Sequence, residues 1–117
     1  MRILVVEDDA GVRETLADLL AAVGHDVTVA GGFAEARLLL LTPQWDVLLT
    51  DYVLPGGSGL ALASVARDKG LGAVVCSGHP QTIAELQDRG VIHLVKPFSA
   101  DALEAALDAV RPDRISA

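Results

Sequence analysis

The sequence predicts an α/β protein, a five-stranded parallel sheet with helices on both faces, folded as one domain over residues 1–117. Three observations lead there. Short apolar runs rich in β-branched residues alternate five times with segments of helical periodicity. Most of these runs are apolar throughout, as strands buried on both faces are. The connections are short, so each helix crosses back to a parallel strand, and right-handed crossovers leave few topologies. Five strands of this kind suit the flavodoxin-like (βα)5 order 2-1-3-4-5.

The elements follow in order. Residues 2–6 (RILVV) are the first strand, buried and followed by acids. Residues 10–23 place Val12, Leu16, Leu19, Leu20 and Val23 at helical spacing, with Gly24 as the stop. Residues 26–30 (DVTVA) alternate like an edge strand with one wet face. Residues 33–41 form a second helix, ended by Thr42-Pro43. Residues 46–50 (DVLLT) are the third strand, and residues 55–59 (PGGSG) a turn cluster. A third helix covers 59–69 with Ser58 as its N-cap, and residues 73–77 (AVVCS) are the fourth strand. A short helix over 80–89 ends at Gly90, residues 92–95 (IHLV) are the fifth strand, and Ser99 caps a last helix running to about Val110. No linker or repeat breaks this order, and little chain is left for an output domain.

Composition narrows the function. A net charge of −7 with no Lys/Arg cluster argues against direct binding of nucleic acid. The apolar runs are far shorter than a membrane span, and no basic amphipathic helix or signal peptide stands out. The one cysteine, Cys76, permits no internal disulfide and fits a reducing cytoplasm. Few aromatics leave the core to Val, Leu, Ile and Ala.

In open parallel sheets, ligands bind beyond the carboxyl ends of the strands. Glu7, Asp8 and Asp9 follow the first strand, Asp51 the third, Ser77 closes the fourth, and Lys96 follows the fifth. The second strand ends in Ala30-Gly31-Gly32 and offers nothing. Carboxylates gathered in one cleft repel one another unless a cation offsets them. Oxygen donors without Cys or His suit a hard ion such as Mg²⁺, with Mn²⁺ as the alternative. One such ion and one lysine beside a free carboxylate make a phosphoryl-transfer site in which Asp51 is the nucleophile.

Five segments in correct order and spacing carry a family resemblance: Ile3-Leu4-Val5-Val6-Glu7-Asp8, Leu48-Leu49-Thr50-Asp51, Leu54-Pro55-Gly56 with Ser58-Gly59, Val75-Cys76-Ser77-Gly78 and Val95-Lys96-Pro97-Phe98. Over essentially its whole length the chain resembles the receiver domains of bacterial two-component response regulators. The resemblance implies that Asp51 is the phospho-acceptor, and that Asp8, Asp51 and the Val53 backbone carbonyl ligate the metal, with Glu7 holding a metal-bound water. It further implies that Lys96 pairs with Asp51 and then with the phosphoryl group, that Ser77 turns toward that group, and that the Lys96-Pro97 peptide is cis. The implied partners are a histidine kinase or phosphotransfer protein, docking near the first helix, and an unknown downstream protein. The implied output face is the fourth helix, fifth strand and fifth helix, in a cytoplasmic signalling protein that transfers and hydrolyses its own acyl phosphate without being a turnover enzyme.

Simpler readings stand beside these. Asp9 reads as an N-cap rather than a ligand. Ser77 in isolation is only a strand end. His93 occupies a position that in the family is commonly a Tyr or Phe whose ring moves inward, and it equally fits a partly buried surface residue. His79 reads as a neighbour of the phosphoryl position, Cys76 as a packed thiol, Trp45 as packing and His25 as a turn residue. The segment from Ser77 to Lys96 is about three residues shorter than in typical members, so the fourth helix is expected to be trimmed or irregular, as in receivers at the ends of hybrid kinases. A haloacid-dehalogenase-like phosphatase is the competing enzyme reading. It requires a second acid two residues after the nucleophile, where this chain has Val53. A pseudo-receiver that is never phosphorylated is the competing binding-module reading.

Overall fold

The computed structural model describes residues 1–111. Five parallel strands form the sheet: β1 (Arg2–Val6), β2 (Asp26–Ala30), β3 (Val47–Asp51), β4 (Gly72–Ser77) and β5 (Ile92–Val95). Their order across the sheet is β2-β1-β3-β4-β5, as the sequence predicts. The helices between them are α1 (Ala10–Ala22), α2 (Phe33–Leu39), α3 (Gly59–Asp68), α4 (Pro80–Asp88) and α5 (Ala100–Ala109).

Strand alternation builds two cores from one sheet. Ile3 and Val5 face Leu16 and Leu20 of α1 and Leu103 and Leu107 of α5. Leu4 and Val6 face the other way, onto Ala36 of α2, Leu62 and Ala66 of α3 and Leu86 of α4. The central-strand residues Ile3, Leu4, Val5, Val47, Leu48, Val74 and Val75 are completely enclosed. At roughly 1.5–3 kcal/mol for each buried aliphatic side chain, these layers drive the fold and fix its register.

Local chemistry sets the helix ends. The Asp9 carboxylate accepts the Val12 N–H at 3.0 Å, which makes Asp9 the N-cap of α1. Ser58 and Ser99 cap α3 and α5 in the same way, through the N–H groups of Ala61 and Ala102. Helix α2 stops at Leu39, two residues before the sequence expectation. The Leu39 carbonyl accepts the Trp45 indole N–H at 2.7 Å and the Thr42 hydroxyl at 2.9 Å, so it receives its donors from the loop.

Two further differences are local. Strand β3 runs one residue further than expected and ends on Asp51 itself. The 55–59 turn cluster holds a small antiparallel ladder, Val53–Leu54 against Gly57–Ser58. Helix α4 is short but regular: Pro80 sits in its first turn, where its missing N–H costs nothing.

Candidate functional site: an acid and lysine rim

Parallel register brings the carboxyl ends of four strands level. Val6 lies opposite Thr50, Asp51 opposite Cys76, and Ser77 opposite Val95. Backbone bonds continue past the strand ends and hold the exits. The Tyr52 N–H donates to the Cys76 carbonyl at 2.9 Å, and the Lys96 N–H to the Ser77 carbonyl at 2.9 Å. The Lys96-Pro97 peptide is cis.

Gly59 explains part of the placement of Asp51. A Cβ at position 59 would lie 1.8 Å from the Asp51 carbonyl oxygen, so only glycine lets α3 start this close to the end of β3. The Gly59 N–H also donates to the Tyr52 carbonyl at 2.7 Å, closing the loop after Asp51.

The charged side chains converge. Carboxylate oxygens of Glu7, Asp8 and Asp51 lie within 4.8 Å of one another. The Lys96 ammonium lies 2.5 Å from Asp51 Oδ1 and 3.1 Å from Glu7 Oε2. Glu7 is only 4% exposed, Asp8 is exposed and Asp51 is half-buried. The second Glu7 oxygen accepts the Asp9 N–H at 3.1 Å, and the Glu7 carbonyl accepts from Arg13 at 2.9 Å.

Electrostatics follow this crowding. Burial pushes the Glu7 carboxyl above the usual carboxylate range, and the neighbouring Asp51 pushes the same way, while the Asp9 N–H and Lys96 pull back. Burial by itself would lower the Lys96 ammonium, but its bonds to Asp51 and then Glu7 outweigh that and raise it. Three ionised carboxylates against one ammonium leave two negative charges unmatched. The donor set is all oxygen, with no His or Cys in the cluster, and it fits a hard divalent cation. The nearby Cys76 thiol is pushed up to about 12, first by burial and then by Asp51, so it stays a neutral packing group.

Asp51, Val53, Ser77, His79 and Lys96 line one cavity of about 130 Å³ beside this cluster. Roomier clefts lie elsewhere, among them one beside His25 and Glu104, one beside Leu60 and Arg89 and one beside Leu71 and Val91. Size therefore does not mark the site; charge does. His93 is not among the lining residues. It is partly buried, with Nδ1 3.2 Å from the Val91 carbonyl.

Two contacts on this rim had no signal in the sequence. The Ser77 hydroxyl is hydrogen-bonded to the Thr82 hydroxyl on α4. The Tyr52 hydroxyl donates to Glu85 Oε2 at 3.1 Å, and Glu85 pairs with Arg89. An isolated Thr or Glu in a short helix carries no motif, and only the folded positions of Ser77 and Tyr52 give these residues meaning.

The fold and the rim together define a doubly wound α/β protein with acids and one lysine gathered at the carboxyl ends of its strands. Residues 3–108 match the response regulator receiver domain family, and the chain belongs to it. It is 34% identical over 112 residues to the transcriptional regulatory protein DltR of Streptococcus agalactiae serotype III (strain NEM316), covering 92% of this chain and 50% of that protein. The chain thus spans about half the length of that relative. Among solved structures, a response regulator receiver domain protein from Clostridium thermocellum superposes with a TM-score of 0.84 at 24% identity, covering 98% of this chain and 96% of that one. The receiver domain of the hybrid histidine kinase CckA superposes with a TM-score of 0.76 at 30% identity, covering 93% and 97%. The chain is a signalling receiver of the two-component type.

Proposed function

We propose that this receiver accepts a phosphoryl group on Asp51 from the phosphohistidine of a histidine kinase or phosphotransfer protein. One observation carries the reading: Lys96 contacts both Asp51 and Glu7, while the carboxylates of Glu7, Asp8 and Asp51 share one small space.

An Asp51 carboxylate oxygen forms a bond to phosphorus as the phosphorus–nitrogen bond of the donor breaks. The imidazole leaves with the electron pair and takes up a proton. Asp8, Asp51 and the Val53 backbone carbonyl would be the direct ligands of Mg²⁺, or Mn²⁺ in its place, and Glu7 would hold a water of that ion. When bound, the ion supplies positive charge to the phosphoryl oxygens. Lys96 supplies a second positive charge, moving from the Asp51 carboxylate to a phosphoryl oxygen. Ser77 donates its hydroxyl hydrogen to another. Water later attacks phosphorus, releasing phosphate and restoring the Asp51 carboxylate.

Phosphorylation shifts an equilibrium on the face formed by α4, β5 and α5, with His93 moving toward the space that Ser77 vacates. That face regulates a protein partner. The domain is a single receiver unit that works in the cytoplasm as a switch.

The test is incubation with acetyl phosphate and Mg²⁺, read by intact mass. The unaltered protein gains one phosphoryl group and Asp51→Asn gains none. A labelled Asp51→Asn protein would remove the assignment of the acceptor. An unaltered mass for the native sequence would favour a binding module that is never phosphorylated.

A further inference from the structure

We infer that Thr82 is a positioning residue that keeps the Ser77 hydroxyl hydrogen engaged on α4 until a phosphoryl group on Asp51 competes for it. The inference rests on the phosphoryl-transfer reading above and adds the residue that opposes it.

Hydrogen counting gives the direction of each bond. A threonine hydroxyl has one hydrogen to donate. Thr82 Oγ1 lies 2.8 Å from the His79 carbonyl, which can only accept, so the Thr82 hydrogen is used there. The bond between the Ser77 and Thr82 hydroxyls must therefore carry the Ser77 hydrogen. The Ser77 oxygen in turn accepts the His79 N–H at 3.1 Å. Ser77 is buried, and its single hydrogen is given to Thr82.

Ser77 lines the same small cavity as Asp51 and Lys96. To donate to a phosphoryl oxygen it must leave Thr82. The bond to Thr82 therefore favours the unphosphorylated state, and breaking it loosens α4 from the end of β4. A second tie lies one helical turn on. Glu85 accepts from the hydroxyl of Tyr52, the residue directly after Asp51. Thr82 and Glu85 are three residues apart and so share one side of α4. Through them the helix touches the two strand ends that flank the cavity.

The test uses beryllofluoride, a phosphoryl mimic, titrated with Mg²⁺ into the protein and followed by ¹H–¹⁵N NMR. Thr82→Val keeps the shape and removes the acceptor. It should tighten beryllofluoride binding by about two- to tenfold, the worth of one neutral hydrogen bond. Thr82→Ser keeps the hydroxyl and should bind as the unaltered protein does. In a Ser77→Ala background, Thr82→Val should change nothing, because the bond is already gone. An equal shift in that background would mean that Thr82 acts through helix stability alone, and would overturn the inference. So would unchanged or weaker binding by Thr82→Val. If the unaltered protein shows no response to beryllofluoride, the phosphoryl-transfer reading falls and takes this inference with it. Ordinary binding with Thr82→Val inert fells the inference alone.

Discussion

The two rims of the sheet carry similar charged residues in opposite circumstances. At the amino rim Arg2 and Asp26 face each other at 3.7 Å with side chains 56% and 74% exposed. Asp46 accepts the Arg2 N–H there at 2.8 Å and is itself only partly buried. At the carboxyl rim Lys96 meets Asp51 and Glu7 with the acid side chains 12% and 5% exposed. Water screens the first pair, so its attraction contributes little. The second set is screened poorly and lacks enough cations to balance it. The difference separates the two rims: burial turns an ordinary ion pair into a site whose acids outnumber its cation, an arrangement that suits a divalent cation.

The largest expected effect comes from disturbing the carboxyl rim's backbone. Gly59→Ala would drive a methyl group to within 1.8 Å of the Asp51 carbonyl. It should cost about 3 kcal/mol in urea unfolding and displace Asp51, so acetyl phosphate labelling should fall with it. A fully stable and labelled Gly59→Ala protein would show that the close approach of α3 to β3 is dispensable.

Next comes the cation. Mg²⁺ at a hundred times its dissociation constant should add about 2.7 kcal/mol of stability, seen as a raised thermal midpoint. Asp8→Asn should remove most of that gain. Asp46→Asn, at the opposite rim, should leave it whole. A gain lost equally in both variants would erase the distinction between the rims.

Removing the lysine is a smaller change. Lys96→Met leaves Glu7 and Asp51 without their shared ammonium and should cost about 2 kcal/mol in the absence of Mg²⁺. Arg2→Met should stay within about 0.5 kcal/mol, as exposed substitutions do. Equal losses in chemical denaturation would show that burial does not separate the two rims.

The smallest effect sharpens the comparison from inside. Cys76 lies next to Ser77 on β4, with its thiol pushed up to about 12 chiefly by burial. It should resist iodoacetamide at pH 8 in the folded protein and react readily once unfolded. Fast alkylation of the native state would mean that this rim is more open than its packing indicates.

Much of this arrangement was legible in the sequence. Continuous apolar strands such as Ile3–Val6 announce burial on both faces, and that pattern dictates parallel pairing and the level carboxyl ends. Glu7, Asp8, Asp51, Ser77 and Lys96 could be gathered on one rim because each stands at the end of such a run. Capping residues were readable for the same local reason: Asp9, Ser58 and Ser99 each precede a helix and satisfy its first turn.

What escaped depends on contacts between distant elements. The bond from Tyr52 to Glu85 spans 33 residues and joins two side chains that carry no pattern. Thr82 acquires a role only because α4 begins three residues after Ser77 and turns back over it. The early stop of α2 required Trp45 to reach the Leu39 carbonyl from beyond the loop, which no helical periodicity encodes. The two-residue ladder between Val53–Leu54 and Gly57–Ser58 is too short to leave an alternating pattern. The His93 ring bonds locally to Val91 and does not line the cavity, so any inward movement would have to break that bond.

The convergence of the acids on one ion is tested most directly by Mn²⁺, whose unpaired electrons broaden nearby NMR signals. Titrated into ¹⁵N-labelled protein, it should first erase the amide signals of Glu7, Asp8, Asp51 and Val53, and excess Mg²⁺ should restore them. Broadening centred on the acids of α5, at Asp101, Glu104 and Asp108, with the carboxyl rim untouched, would contradict the account.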